Sequence, residues 1–409
     1  MGRLKTIIFI GTNKSGSSRE AIKAAEQLGY FTVLFTKNER QIQQREEYND
    51  VHEMIYVDTG NFSEMKSVIN KLKQKGHDIK TIVSFLDSTV RIASLLCEEF
   101  CQNCTSSKAI QIMENKEETR SFLKEKSYTP KFFIIKPGES IDTINEKMNY
   151  PLIVKFPKST GSKDVIYAAN KSELNKHTVS LQEKNPGEPM IVEEYVEGKQ
   201  YLVEAIVHNN KIMIAGIIEQ DIIRGRRFII TGYGVLVEPP VHLKNRIEKL
   251  LDSVVSKFNI KNGVLHLEFR NTSKGLKLIE INPRISGGAM NSMLKAAFGY
   301  NLVEETLKLF LGETPSLERK EKNHVYTQYL IVTKKGILEK VTGRNRAQKS
   351  EGVVEVYIKP RKGARLTPPL SLGHRYAYVI AKGKSIDEAK RHAKNAANEI
   401  TFHLKEDTN

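Results

Sequence analysis

Through residues 6–104, short apolar runs alternate with stretches whose apolar positions recur at helical spacing. The runs TIIFIG, FTVLFT, MIYVD and TIVSFLD are bounded by polar turns, and residues 18–28 and 63–75 lie between them as amphipathic helices. This β-α-β order predicts a small parallel sheet, because parallel neighbours need a crossover helix between them. A mixed segment follows: a helix over Lys108–Lys126, the strand FFII, a helix near 139–149 and the strand LIVKF at 152–156. The runs MIVEEY, QYLVEAIV and KIMIAGIIEQ, from 190 to 220, predict an antiparallel meander; a basic, glycine-containing loop, DIIRGRRFIITGYG, and a helix over 244–258 come next. Beyond about residue 320 the pattern becomes short strands with turns (VYTQYLIVT, VVEVYIK, RYAYVIAKG) and closes on a helix over 385–404.

The stretch LHLEFRNTSKGLKLIEINPR, 265–284, predicts a hairpin. Leu265, Leu267 and Phe269 alternate with polar residues, as do Ile279 and Ile281, while Asn271, Ser273 and Gly275 are turn formers. A turn centred on 273–275 sets Glu268 opposite Glu280, with His266 and Asn282 on the same face. Like charges directly opposite destabilise a ladder, so the pair calls for a cation between the carboxylates or a shared proton. Two carboxylates and the Asn282 amide oxygen are hard ligands suited to Mg²⁺, which keeps waters and bridges to phosphates. Surface acids neutralised by Lys274 or Lys277 are the alternative, but both lysines lie in or beside the turn and Lys277 points to the other face. A metal also accounts for Arg284, two residues beyond Asn282, as the holder of a developing anion; a shared proton does not. Gly287 and Gly288 then permit close approach of a ligand ahead of a helix starting near 289.

Two further stretches carry candidate chemistry. In KFPKSTGSKDVIYAA, Lys155 sits inside an apolar strand and Ser159, Thr160, Gly161 and Ser162 form a loop able to offer amides and hydroxyls to phosphate; a turn beside a snorkelling lysine is the bland alternative. In IVEEYVEGKQYLVEA, Glu193 and Glu194 close a strand ahead of Gly198 and Gln200, a place where backbone can meet an adenine edge and a polar side chain a ribose; a hairpin with solvated acids fits equally. The first turn, GTNKSGSS at 11–18, lacks the lysine of a Walker loop and the third glycine of a dinucleotide fingerprint, so it reads as an ordinary βα turn with Ser17 or Ser18 capping the helix.

Composition narrows the classes. The 409 residues suggest about two to four domains. With 64 Lys plus Arg against 48 Asp plus Glu, the net charge of +16 favours anionic ligands, yet the charge is spread, Trp is absent and no nucleic-acid module is recognisable. A basic surface around an anionic small substrate is the expectation, without nucleic acid. No apolar run approaches a membrane span, so no membrane partner and a cytoplasmic location are expected. Cys97, Cys101 and Cys104 are too few and too clustered for a disulfide framework. Their C-x-x-x-C-x-x-C spacing is that of radical SAM iron–sulfur enzymes, the competing class. Against it, residues 89–104 read as one amphipathic helix carrying all three thiols on one face as small core residues, and Asn103 stands where that motif has an aromatic.

Taken in order, Lys116 in MENKEETR, Lys155, the Gly/Ser loop 159–163, EEYVEG and LEF…EINPRISGG resemble the ATP-grasp carboxylate–amine ligases over about 105–312. The resemblance implies α/β and α+β architecture: a Rossmann-like pre-ATP-grasp domain (1–105), an ATP-grasp domain (106–312) with a nucleotide lid at about 128–192, and a C-terminal α+β domain (313–409). It implies that Lys116, Lys155, Ser159, Gly161 and Ser162 meet the ATP phosphates, with Glu193, Glu194, Tyr195 and Val196 at the adenine and Gln200 where many relatives put a ribose-binding acid. Glu268, Glu280 and Asn282 would hold Mg²⁺, commonly two ions, with Mn²⁺ as a substitute. Arg284 and Lys155 would be catalytic, and His266, Arg284, Gly287 and Gly288 would meet substrate. Within the family the chain is most similar to the L-amino acid ligases, which join free L-amino acids into dipeptides, an activity used in antibiotic biosynthesis. Arginine is the candidate first amino acid, with Asp87, Glu219 or Asp221 available to its side chain; another carboxylate–amine or carboxylate–thiol ligation is the alternative. A homodimer is a candidate assembly.

Overall fold

The computed structural model describes residues 3–141, 144, 147–159, 161, 163–224 and 228–406. At its start, β1 (Leu4–Ile10), α1 (Ser17–Gln27), β2 (Phe31–Thr36), α2 (Glu39–Gln43), β3 (Glu53–Tyr56), α3 (Phe62–Gln74), β4 (His77–Val83) and α4 (Val90–Phe100) form a parallel sheet in the order β3-β2-β1-β4. Neither serine of the first turn caps α1. Gly16 occupies the cap position, Ser18 Oγ accepts from the Asn13 amide, and Ser17 Oγ donates to the Ser286 carbonyl far along the chain.

The cysteine segment also departs from expectation. Helix α4 stops at Phe100, Cys101 takes extended backbone, and the chain doubles back so that Cys97 and Cys104 form a disulfide, leaving Cys101 free. The helical face expected to carry all three thiols therefore does not exist. The single helix expected over 108–126 is two, α5 (Ser107–Glu114) and α6 (Lys116–Phe122). Asn115 between them is extended, and its side chain accepts from the amides of Glu117 and Glu118, so one capping residue ends the first helix and starts the second at Lys116.

The segment expected to form the nucleotide lid comprises β5 (Phe132–Ile135), β6 (Leu152–Lys155), β7 (Ile166–Ala168), α7 (Lys171–Lys184) and β8 (Met190–Glu194), with an antiparallel sheet in the order β5-β8-β6-β7. MIVEEY therefore leaves the expected meander and sits between two lid strands. The helix expected near 139–149 includes residues 142, 143, 145 and 146, which lie outside the described residues.

The largest sheet has eight strands among the described residues, ordered β13-β12-β9-β10-β11-β14-β18-β16. It begins with β9 (Lys199–His208), β10 (Lys211–Arg224) and β11 (Phe228–Val235), followed after α8 (Val241–Phe258) by β12 (Gly263–Thr272) and β13 (Gly275–Asn282). Helix α8 buries Ile247, Leu250, Leu251 and Val254 against Val203, Ala205, Leu265 and Leu267 on one face. The opposite face receives α9 (Met290–Phe298), with α10 (Leu302–Leu311) joining it to α1 and the first sheet.

The remaining chain supplies β14 (His324–Leu330), β15 (Gly336–Thr342), α11 (Arg344–Lys349), β16 (Val353–Ile358), β17 (Arg365–Leu366), β18 (Ala377–Gly383), α12 (Ile386–Asn398) and β19 (Thr401–Lys405). Strands β14, β18 and β16 extend the large sheet, while β17-β15-β19 form a small one. The final helix ends at Asn398 rather than running to 404, because Thr401–Lys405 pairs with β15. Among the described residues no helix is long and apolar enough to cross a membrane.

Candidate active site

The hairpin β12–β13 adopts the register read from its turn: His266 opposes Asn282 and Glu268 opposes Glu280. One feature is added. The register shifts between Glu268 and Phe269, which faces Leu278, so Ile279 is an extra residue on β13. The bulge turns Ile279 out of the core that alternation with Ile281 would give it, and Leu278 is buried instead. Ile279 and Glu280 consequently both line a cleft between the hairpin and the lid, together with Lys116, Lys155, Ser159, Glu193–Val196, Gln200, Phe228, Glu268 and Arg270.

Lys116 and Lys155 are each held by a carboxylate. Lys116 Nζ lies 2.9 Å from Glu280 Oε1 and 2.6 Å from the Ser159 carbonyl. Burial would raise the Glu280 carboxyl, but Lys116 holds it below its usual range, so it is ionised. Lys155 Nζ donates to Glu193 Oε2 at 2.7 Å, and Arg120 Nε donates to Glu193 Oε1 at 2.6 Å. Burial pushes Lys155 down to about 8 even with that carboxylate beside it. For Glu193, burial is outweighed by Arg120 and Lys155, which hold it at about 2. Glu193 thus lies inside the wall as the centre of a buried ion-pair triad.

Next to it, Arg270 donates to the Val196 carbonyl at 2.6 Å, packs over the Tyr195 ring at 5.0 Å and donates to Gln200 Oε1, while Gln200 Nε2 reaches Glu268 at 3.2 Å. Glu194 takes the Lys131 amide and Lys277, which confirms that Lys277 does not neutralise the hairpin acids. Ile153, Val165, Phe228 and Ile279 give the same cleft an apolar slot.

On the far side of Glu268, His266 sits between Glu204 (2.6 Å) and Glu268 (3.4 Å) and contacts Ser286 Oγ at 2.8 Å. Burial would lower its pKa, but the two carboxylates raise it to about 10. The imidazolium is a buried structural cation joining the hairpin to the loop after it. Glu204 also accepts from the Ser286 amide.

Several expected site residues are placed elsewhere. Arg284 is bidentate to Asp87, with Nε at 2.5 Å and Nη2 at 2.6 Å, and its third nitrogen donates to the Ile285 carbonyl. It faces a small apolar cavity near Cys97 and Cys104, outside the hairpin–lid cleft. Gly161 lies beyond that cleft, in left-handed backbone (φ +61°), and its carbonyl accepts from Leu372; Ser162 is outside the described residues. Gly288 borders the first domain, where Gly16 packs backbone to backbone on it, while Gly287 is exposed with open space beside it. Of the carboxylates offered to an arginine substrate, Asp87 holds Arg284, Glu219 holds Lys199, and Asp221 holds Lys390 and Tyr326.

Arg120, Arg270 and Glu204 escaped sequence reading. Arg270 had a legible sign, being two residues past Glu268 on the same strand face, and Arg120 is one helical turn past Lys116. Glu204 had none, because its opposition to His266 depends on a strand pairing across sixty-odd residues.

Among the described residues no three His, Cys, Asp or Glu side chains converge as a ready metal cage. The hairpin offers instead two opposed carboxylates and the Asn282 amide, a donor set with the hardness Mg²⁺ requires and with coordination positions left for water or phosphate.

An ATP-grasp domain profile matches residues 148–292, and the profile of L-amino acid ligase C-terminal domain 2 matches 328–405. An uncharacterized protein, y4rH, of Sinorhizobium fredii is 24% identical over 360 residues, 86% of this chain and 74% of its own. The carbamoyl phosphate synthase large chain of Caldanaerobacter subterraneus is 24% identical over 306 residues, 72% of this chain, which spans only 27% of that protein. The fold is similar to the crystal structure of L-amino acid ligase from Bacillus licheniformis, with a TM-score of 0.83 at 18% identity, covering 99% of this chain and 100% of that one. It is also similar to the biotin carboxylase domain of Hydrogenobacter thermophilus 2-oxoglutarate carboxylase in complex with MgADP, with a TM-score of 0.70 at 16% identity, covering 99% and 91%. The chain thus carries an ATP-grasp domain followed by an L-amino acid ligase C-terminal domain, and it is an ATP-dependent ligase of the kind that forms C–N bonds.

Proposed function

We propose that this ligase activates the carboxylate of one L-amino acid as an acyl phosphate and passes it to the amine of a second, releasing ADP and phosphate. The observation that carries the reading is the opposition of Glu268 and Glu280, with Asn282 beside them, in a cleft that also holds Lys116 and Lys155. Adenine fits the apolar slot of Ile153, Val165, Phe228 and Ile279, and the triphosphate runs toward the two lysines. Bound at Glu268, Glu280 and Asn282, Mg²⁺ would supply the charge that lets two anions approach.

The substrate carboxylate oxygen attacks the γ-phosphorus, the bond to the β-phosphate oxygen breaks, and ADP leaves. The amine nitrogen then attacks the acyl carbon, phosphate departs, and the amine loses a proton. Lys116 serves the first step by exchanging Glu280 for phosphate, and Lys155 serves it from its fixed seat on Glu193. Arg284 joins only if a substrate anion displaces Asp87. Its role is therefore conditional, and arginine as the first amino acid has no unengaged carboxylate among the three considered.

ADP release measured over the twenty amino acids, singly and in pairs, tests the reading. Release stimulated by a particular pair, with a dipeptide of matching mass, is expected; absence of stimulation by every pair would overturn it.

A further inference from the structure

The face of the large sheet that carries Glu268 and Glu280 continues across every strand. Register carries that face from Glu268 over Leu202 and Ile218 to Gln220, then through Tyr233 and Thr327 to Tyr329, which opposes Tyr378. The hairpin carboxylates therefore occupy one end and tyrosines gather at the other, where Glu355 of the edge strand accepts from Tyr378. Above the tyrosine end opens a second cleft, which shares no lining residue with the hairpin–lid cleft and is bounded by the first βα turn, Gly288 and the segment around Arg375.

This second cleft is basic: Lys14 and Arg361 share Glu47, and Lys359 donates to the Gly373 carbonyl. Arg375 is the cation seated on the tyrosines. Its guanidinium lies 3.8 Å from the centre of the Tyr329 ring and 5.6 Å from that of Tyr233, donates to Tyr233 Oη and the Leu372 carbonyl at 3.3 Å each, and has no carboxylate partner among the described residues. This half-buried guanidinium faces the cleft without a counter-ion, and the tyrosines fix it where it stands. On the same sheet face the Gln220 amide is 6% exposed and, among the described residues, both its nitrogen and oxygen lack a partner, as does the Thr327 hydroxyl. The same Leu372 that receives Arg375 donates to Gly161 of the lid loop, so this guanidinium is tied to the element that covers the nucleotide.

We propose that Arg375 holds the α-carboxylate of the acceptor, the amino acid that supplies the amine. This rests on the ligase reading. The carboxylate to be phosphorylated must reach the hairpin acids and Lys116, whereas the acceptor keeps its own carboxylate ionised throughout and needs a fixed cation away from the phosphates. Arg375 provides one in a separate cleft on the same sheet face, with a planar fork that matches a carboxylate.

The test compares three reactions of the pair identified by the ADP-release screen: dipeptide formation, the same reaction with the acceptor as its carboxamide, and trapping of the activated donor by hydroxylamine. Wild-type protein should prefer the free acid over the amide by about 10- to 100-fold, the worth of a charged hydrogen-bonded contact. In Arg375→Gln that preference should vanish, the acceptor KM should rise by a similar factor, and dipeptide formation should fall at least tenfold further than hydroxamate formation. Arg375→Lys, which keeps the charge without the fork, should retain part of the preference, and ADP-induced thermal stabilisation reports that each variant is folded. Equal losses in the dipeptide and hydroxamate reactions, or an unchanged acid-to-amide preference, would overturn the assignment while leaving the ligase intact. Absence of both ADP release and hydroxamate with every amino acid would remove the ligase reading itself.

Discussion

Lys155 is buried and carries a proton that leaves at about 8, so its charge is available to ATP phosphates at neutral pH and lost above it. kcat/KM for ATP, which reports the free enzyme, should therefore decline as pH rises through about 8, and Lys155→Arg should move that decline upward. An identical profile in the variant would assign the decline to another group. Glu193 makes the complementary prediction for stability. Its folded pKa of about 2 lies below the unfolded value, so its contribution is present above the unfolded pKa and lost as pH falls toward 2. Glu193→Gln leaves Arg120 and Lys155 without their shared counter-charge, which should cost about 3–5 kcal/mol in urea unfolding at pH 7 and flatten the acid limb below about pH 4.5. At this scale sequence reading named Lys155 and Glu193 from their places in strands, and Lys116 only through the family resemblance, inside what read as one helix. It did not reach their pairings: a carboxylate expected near adenine is the hub of a triad completed by Arg120, on a helix seventy-odd positions earlier.

The hairpin shows what periodicity can and cannot fix in an element. Turn residues and alternation set the opposition of Glu268 and Glu280 correctly, because both act locally. The extra residue at Ile279 was hidden, since Ile279 and Ile281 look like one buried face. Deleting Ile279 should return β13 to simple alternation with Glu280 still opposite Glu268 and remove one wall of the apolar slot, raising the KM for ATP with turnover retained; loss of turnover at saturating ATP would show that the bulge itself positions Glu280. Glu280→Gln should lower ATP-dependent ligation by at least about 100-fold while the protein keeps a cooperative urea transition, displaced to lower urea by loss of the Lys116 ion pair. If the glutamine variant turns over normally, the metal role falls. Strand β8 illustrates the other limit. Period two identifies a strand but not its neighbours, and MIVEEY pairs inside the lid rather than with the next strand in sequence.

Across the whole molecule, the first domain meets the loop after the hairpin in a close backbone approach, besides the Ser17–Ser286 and Asp87–Arg284 contacts. A Cβ on Gly16 would stand 2.8 Å from the Gly288 amide nitrogen, at a residue already in left-handed backbone (φ +78°). Gly29 has nearly the same φ (+81°) with open space around it, so Gly29→Ala carries the backbone cost alone. Gly16→Ala should be more destabilising than Gly29→Ala in urea and should reduce turnover, whereas equal effects would show that the contact has slack. That approach was illegible in the sequence because it joins two glycines in separate segments, neither with a side chain to mark it.

The eight-stranded sheet also limits how such ligases can be recombined. The two profiles end at 292 and begin at 328, which invites exchange of the last segment as a cassette to change acceptor preference. Yet β14 is hydrogen-bonded to β11 through Gly232–Gln328, Tyr233–Thr327 and Gly234–Tyr326, and Arg375 leans on Tyr233 from across that joint. A chimera spliced at the profile boundary would import a guanidinium without the tyrosine that orients it; donor segments for directed evolution should carry β11 along with β14.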